Sequence, residues 1–170
     1  IMKDPSNNEI VDEKIDQLPG LGLGEWELSF DTADNERLEI PGFRMMDGPH
    51  GVRDLAGPAT AFPVGIAMTS TWDTELVSRI GTAMGKEFLG YNKNQALGPC
   101  IDLQRDPRNG RSAESGGEDP YLAGWIGTAL TQGIQSTGTI ATAKHFAATN
   151  HQTDRNNNNH IIDERSLMEL

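Results

Sequence analysis

Residues 95–146 read QALGPCIDLQRDPRNGRSAESGGEDPYLAGWIGTALTQGIQSTGTIATAKHF, and the order of textures within them decides the fold class. The short apolar run at 95–102 is a strand candidate that ends in a long polar loop. GEDPYLAGWIGTALTQGIQ then has a helical period, with Leu122, Ile126, Ala129 and Ile134 tracing a buried stripe. Asp119 is a good N-cap, and Pro120 falls at the first helical position, where its missing N–H costs nothing. TIATAKHF is a second short run with β-branched residues. Strand, loop, helix, strand implies a parallel sheet.

The same alternation extends in both directions. FRMM (43–46) reads as a strand ended by DGPHG, and FPVGIAM (62–68) as another, weakened by Pro63 and Gly65. In DTELVSRIGTAMGKEFLGYN, Leu76, Ile80, Met84 and Phe88 recur at four-residue steps and mark a helix, with Ser70 or Thr71 as the expected cap. DERSLMEL opens a further helix with an acidic first turn, and the sequence stops inside it. Residues 1–40 form an approach segment: IVDEKIDQL suits a short amphipathic helix through Ile10, Val11, Ile15 and Leu18, and LPGLGLGEW reads as loop. The expected architecture over 41–170 is α/β, a (β/α)8 barrel whose polar loops after the strands build the site. A doubly wound open sheet would also use its strand C-termini. No G-x-G-x-x-G follows a strand and no G-x-x-x-x-G-K-[ST] occurs, so nucleotide binding has little support.

With 25 acidic against 14 basic residues in 170, the net charge of −11 argues against nucleic acid or an anionic membrane as the main partner. The one cysteine, Cys100, excludes an internal disulfide framework. No apolar run approaches the ~18 residues of a membrane span, and the polar, mixed N-terminus has no signal-peptide pattern. The four histidines and one cysteine lack H-E-x-x-H or C-x-x-C spacing, so neither a metal nor a cofactor is implied.

Lys144 and His145 stand side by side at the end of a core-like strand, where polar groups are rare unless paired. Asp47 ends FRMM, Arg105 and Arg111 follow QALGPCID, and Arg155 lies beyond KHF. Strand C-termini of a barrel point to a common centre, so these groups can converge. One acceptor among several donors suits a ring with vicinal hydroxyls. Plainer roles compete. Asp47 before Gly-Pro also suits a turn. Arg105 has Asp102 and Asp106 as nearby partners, Glu114 and Glu118 can brace the arginines, and His50 and His151 can serve as loop polar groups.

MMDGPHGVR, LGPCIDLQRDPRNGRSAESGGEDPYLAG, GIQSTGTIATAKHFAATN and DERSLMEL, in that order, resemble the N-terminal barrel domain of family 3 glycoside hydrolases over about residues 40–170. The resemblance implies a barrel whose loops bind a non-reducing terminal sugar. Asp47, Arg111, Lys144 and His145 would hold hydroxyls, and Arg53 and Arg155 would line or brace the pocket. The family reaction is retaining, exo-acting hydrolysis. Its two carboxyl groups lie about 5 to 5.5 Å apart. The family's nucleophile sits in an SDW-like motif that this sequence lacks, and its acid/base glutamate comes from a following domain or loop. Both are expected downstream of Leu170, so the sequence reads as the first half of a barrel, with the rest of the barrel and a following domain as its partners. A half barrel leaves a sheet edge and apolar helix faces open. AATNHQTDR after KHF favours β-glucosidase-like relatives acting on a β-linked glucoside or oligosaccharide. A β-xylosidase, a β-N-acetylhexosaminidase and a catalytically inactive sugar-binding relative are the alternatives. The family resemblance favours a periplasmic or extracellular setting.

Overall fold

The computed structural model describes residues 31–53 and 57–170. Strand β1 (Met45–Asp47), helix α1 (Gly65–Thr69), helix α2 (Thr74–Gly90), strand β2 (Gln95–Leu97), helix α3 (Pro120–Gln135), strand β3 (Ile140–Ala141) and helix α4 (Glu164–Glu169) follow in chain order. The three strands pair in parallel in the order β1-β2-β3, with Met45 opposite Gln95, Asp47 opposite Leu97 and Ala96 opposite Ala141. The expected helix at 10–18 lies outside the described residues.

Two helices cover one face of the sheet. Met46 and Ala96 point inward from β1 and β2 and are buried with Val77, Met84 and Phe88 of α2 and Leu130 and Ile134 of α3. The inward set of α2 is Val77, Gly81, Met84, Gly85 and Phe88, so the expected stripe holds at its C-terminal half while Leu76 and Ile80 are only half-buried. The glycines have a specific use. A Cβ on Gly81 would stand 2.5 Å from the Leu130 carbonyl, and one on Gly133 would run into the Ser78 carbonyl. Backbone therefore meets backbone where α2 crosses α3. Thr139 is fully buried before β3, and its hydroxyl donates to the Gly85 carbonyl at 2.9 Å, tying that strand to α2.

α3 begins as its sequence dictates: Asp119 Oδ1 accepts from the Leu122 N–H at 3.0 Å, with Pro120 at the first turn. α2 is capped differently from the expectation. Asp73 accepts from the Leu76 N–H at 2.9 Å. The Ser70 and Thr71 hydroxyls instead donate to the Ile66 and Met68 carbonyls and close α1. FPVGIAM is likewise not a strand. Its second half is α1, with Thr69 bonding back to the Gly65 and Ile66 carbonyls and Gly65 pressed against the backbone of Glu114 and Ser115. A short apolar run carries no period long enough to separate the two outcomes, and tertiary packing decides it. β1 starts two residues later than FRMM suggests: its first ladder pair is Met45 with Gln95, and ahead of that the Gly42 carbonyl and the Arg44 N–H bond the side chain of Asn94 instead. β2 and β3 are shorter than their apolar runs. Beyond them the chains stay in register far enough for Cys100 to bridge Lys144.

Candidate functional site

Parallel pairing puts all three strand C-termini on one edge. Asp47 is the last residue of β1, Asp102 follows β2, and Lys144 and His145 follow β3. The Cys100–Lys144 bridge keeps the last two segments side by side, with the Ile101 N–H donating to the Lys144 carbonyl at 2.8 Å. The peptide bonds Gly98–Pro99, Lys144–His145 and Phe146–Ala147 are cis.

Asp47 is the hub. Its Oδ1 pairs with the Lys144 ammonium and its Oδ2 with Arg53 Nη1 at 3.2 Å. Lys144 is only 14% exposed, so the cost of desolvating its charge is offset by this carboxylate. Arg111 sits in a fork-to-fork pair with Glu114, Nε to Oε1 at 2.9 Å and Nη2 to Oε2 at 2.8 Å. Burial pushes the Glu114 carboxyl up, but the hydrogen bonds and charge of Arg111 outweigh it and leave the group below its ordinary 4.5. The same pair raises Arg111, which also feels the charge of Asp47. His50, in the turn after β1, is kept below its usual value by burial, with the charges of Glu114 and Asp47 opposing and those of Lys144 and Arg53 reinforcing the shift. Its Nε2 is buried without a partner among the described residues.

A second cluster adjoins the first. His145 Nδ1 lies 2.7 Å from Asp102 Oδ2, which also accepts from the His145 backbone N–H at 3.1 Å and the Cys100 thiol at 3.3 Å. Asp102 Oδ1 accepts from the Thr149 N–H at 3.1 Å. Arg111, Asp102 and His145 line one small cavity. A larger cavity, about 570 Å³, is lined by Asp102, Arg105, Lys144 and His145 together with the apolar Ile101, Leu103, Ile162 and Leu167. Cys100, Asp102 and His145 place a sulfur, an oxygen and a nitrogen within 4.8 Å of one another. They are organised as a hydrogen-bond cluster, in which burial, then the charge of Asp102, pushes the Cys100 thiol up to about 12, so that without a bound cation it is a donor to Asp102.

Of the six residues singled out from the sequence, Asp47, Arg53 and Lys144 form one ion-pair group, with His145 adjacent in the chain and Arg111 within electrostatic reach. Arg155 is apart. It is exposed, bonds Gln152 Oε1 at 3.4 Å, and makes no hydrogen bond or ion pair with the other five. Glu114 braces Arg111, one of the two uses open to it. Asp106 pairs with Arg108, at 2.9 and 3.0 Å, and Asp102 with His145, so neither partners Arg105. The contribution of Asp102 was missed: read along the chain it is one loop acid among several, and only the β2–β3 pairing puts it under His145.

The family model for the glycosyl hydrolase family 3 N terminal domain matches residues 22–170. Thermostable beta-glucosidase B of Acetivibrio thermocellus is 40% identical over 160 residues, 88% of this chain and 21% of that protein. A beta-glucosidase of Kluyveromyces marxianus is 39% identical over 163 residues, 94% of this chain and 19% of that one. The chain thus spans about a fifth of the length of the curated relatives it matches. Among solved structures, DesR, a beta-glucosidase of Streptomyces venezuelae in complex with D-glucose, superposes with a TM-score of 0.69 at 36% identity, over 73% of this chain and 16% of that one. The GH3 beta-glucosidase of Bifidobacterium adolescentis does so at 0.67 and 38%, over 74% and 19%. The motifs, the parallel α/β frame and these matches together establish that the chain belongs to glycosyl hydrolase family 3.

Proposed function

We propose that the whole protein is a retaining, exo-acting β-glucosidase-like hydrolase, and that this chain forms the first half of its (β/α) barrel and the hydroxyl-binding side of its pocket. The observation that carries this reading is the junction of Asp47 with Lys144 and Arg53 at the carboxyl edge of a parallel sheet. A sugar hydroxyl both donates and accepts. It can give its hydrogen to Asp47 and take one from Lys144 or Arg111, so neighbouring hydroxyls are read by neighbouring groups. Asp47 is poorly suited to attack an anomeric carbon, because both of its oxygens are engaged by cations. Asp102, Asp106 and Glu114 are engaged as well. The family resemblance implies that nucleophile and proton donor come from the rest of the protein, about 5 to 5.5 Å apart in a retaining site. The beta-glucosidase relatives support a β-linked glucoside as substrate.

The test is to assay the whole protein on an aryl β-glucoside, following the anomer released, alongside Lys144→Ala. Retained configuration, with a large loss in the variant at unchanged melting temperature, supports the proposal. A folded protein with no turnover on any aryl glycoside would mark a sugar-binding relative without catalysis.

A further inference from the structure

Asp102 lies outside the six residues taken as sugar ligands or braces, yet it is the most heavily bonded acid of the site. Its side chain is 6% exposed. The donors around it are fixed. Two are backbone amides, of His145 and Thr149, which carry a hydrogen and cannot accept. The third is the Cys100 thiol. Asp102 Oδ2 is therefore an acceptor, and His145 Nδ1, 2.7 Å from it, carries the hydrogen of their contact. The other ring nitrogen follows from this: with Nδ1–H committed, Nε2 of the neutral imidazole has a bare lone pair, and it donates only in the imidazolium.

We propose that Asp102 is a positioning residue for sugar recognition, which holds the His145 ring in one orientation and in the Nδ1–H tautomer, so that Nε2 is the atom offered to a substrate hydroxyl. This refines the simple donor role expected of His145 and rests on the proposed function above. In that tautomer Nε2 accepts from a hydroxyl, while Lys144 beside it donates, and the two adjacent side chains then read opposite halves of a diol. A wrong tautomer would set an Nε2–H against a hydroxyl arranged to donate. The same carboxylate holds the chain after β3 through the Thr149 N–H, so a purely structural role is the competing explanation.

A double-mutant cycle in the whole protein separates the two. Asp102→Asn is made in the wild-type and in the His145→Ala background, and kcat/KM is measured on an aryl β-glucoside. Action through His145 gives a loss of roughly 10- to 100-fold in the wild-type background, the range seen when an orienting partner is removed. In the His145→Ala background the further loss stays within about two-fold. An equal loss in both backgrounds, or none in the wild type, overturns the proposal. His145→Ala alone tests the parent reading, since a ligand must cost activity when removed. A loss there with an additive Asp102 effect removes only the positioning role. Should Asp102→Asn fail to accumulate as soluble protein, ¹⁵N spectra of the His145 ring in the unmodified protein decide, assigned by their absence in His145→Ala. A hydrogen on Nδ1 with a bare Nε2 supports the proposal, and a hydrogen on Nε2, in the opposite tautomer or in an imidazolium, overturns it.

Discussion

Asp47 accepts from Lys144 and Arg53 in the free protein, so the sugar proposed to enter here would meet charges already paired with one another. Its hydroxyls need only join an existing network, and the ammonium does not have to be desolvated anew. Lys144→Ala in the whole protein should lower kcat/KM by an amount worth roughly 2 to 4 kcal/mol, if its hydrogen bond tightens in the transition state. Its melting temperature should move little by comparison, and a variant with near wild-type kcat/KM would remove Lys144 from the ligand set. Glu114 offers a pH test. The fold holds its carboxyl below 4.5, so it contributes stability that is present above that value and lost as pH falls through the lowered one. The melting-temperature gap between wild type and Glu114→Gln should therefore narrow between neutral pH and about pH 3; a constant gap would show that the Arg111 pair adds nothing to the fold. Lys144 and Asp47 were legible in the sequence because a polar residue ending an apolar run stands out. Asp102 was not, since its partner is 43 positions away and no local pattern joins them.

The long helices α2 and α3 were the legible elements, because a helical period leaves marks in consecutive residues, whereas the five-residue α1 read as a strand. Asp119 and Pro120 at the start of α3 are such marks, and Asp119→Ala should cost about 1 kcal/mol of stability, read as a lowered denaturation midpoint. A shift under a few tenths of a kcal/mol would show that packing alone fixes that helix end. The glycines of the α2–α3 crossing left a fainter mark. Gly81, Gly85 and Gly133 lower helix propensity and look like blemishes along the chain, and only the crossing explains them. A methyl group on Gly133 meets a carbonyl that cannot swing away, so Gly133→Ala should destabilise by about 1 to 3 kcal/mol or more. Gly124→Ala is the control: it lies on the same helix with nothing within 4 Å of its Cβ position, and it should be neutral or stabilising. Equal effects at the two positions would mean that the helices do not touch as described. The strands were the least legible in extent. In β2 and β3, two or three residues of ladder sit inside runs more than twice as long, and their ends are set by where a neighbour's backbone stops pairing.

At the scale of the whole molecule, three parallel strands gather polar groups at one edge, with two covering helices behind, and the carboxylates of Asp47, Asp102 and Glu114 there are occupied. Among the described residues, these carboxylates are engaged by donors, so the unit proposed to orient a sugar shows no carboxyl pair free for attack and proton transfer. The 170-residue chain on its own is therefore expected to release no product from an aryl β-glucoside even at high protein concentration, and turnover by it would overturn the division of labour proposed here. Order along the chain was legible because strand, loop and helix repeat, whereas convergence at the sheet edge needed the pairing itself. The central claim, that this edge grips the hydroxyls of one sugar ring, is tested most directly by a crystal structure of the whole protein soaked with glucose. One ring is expected, with hydroxyl oxygens within hydrogen-bond distance of Asp47, Arg111, Lys144 and His145 together. A ring bound elsewhere, with Asp47 and Lys144 still bonded only to each other and to Arg53, would contradict it.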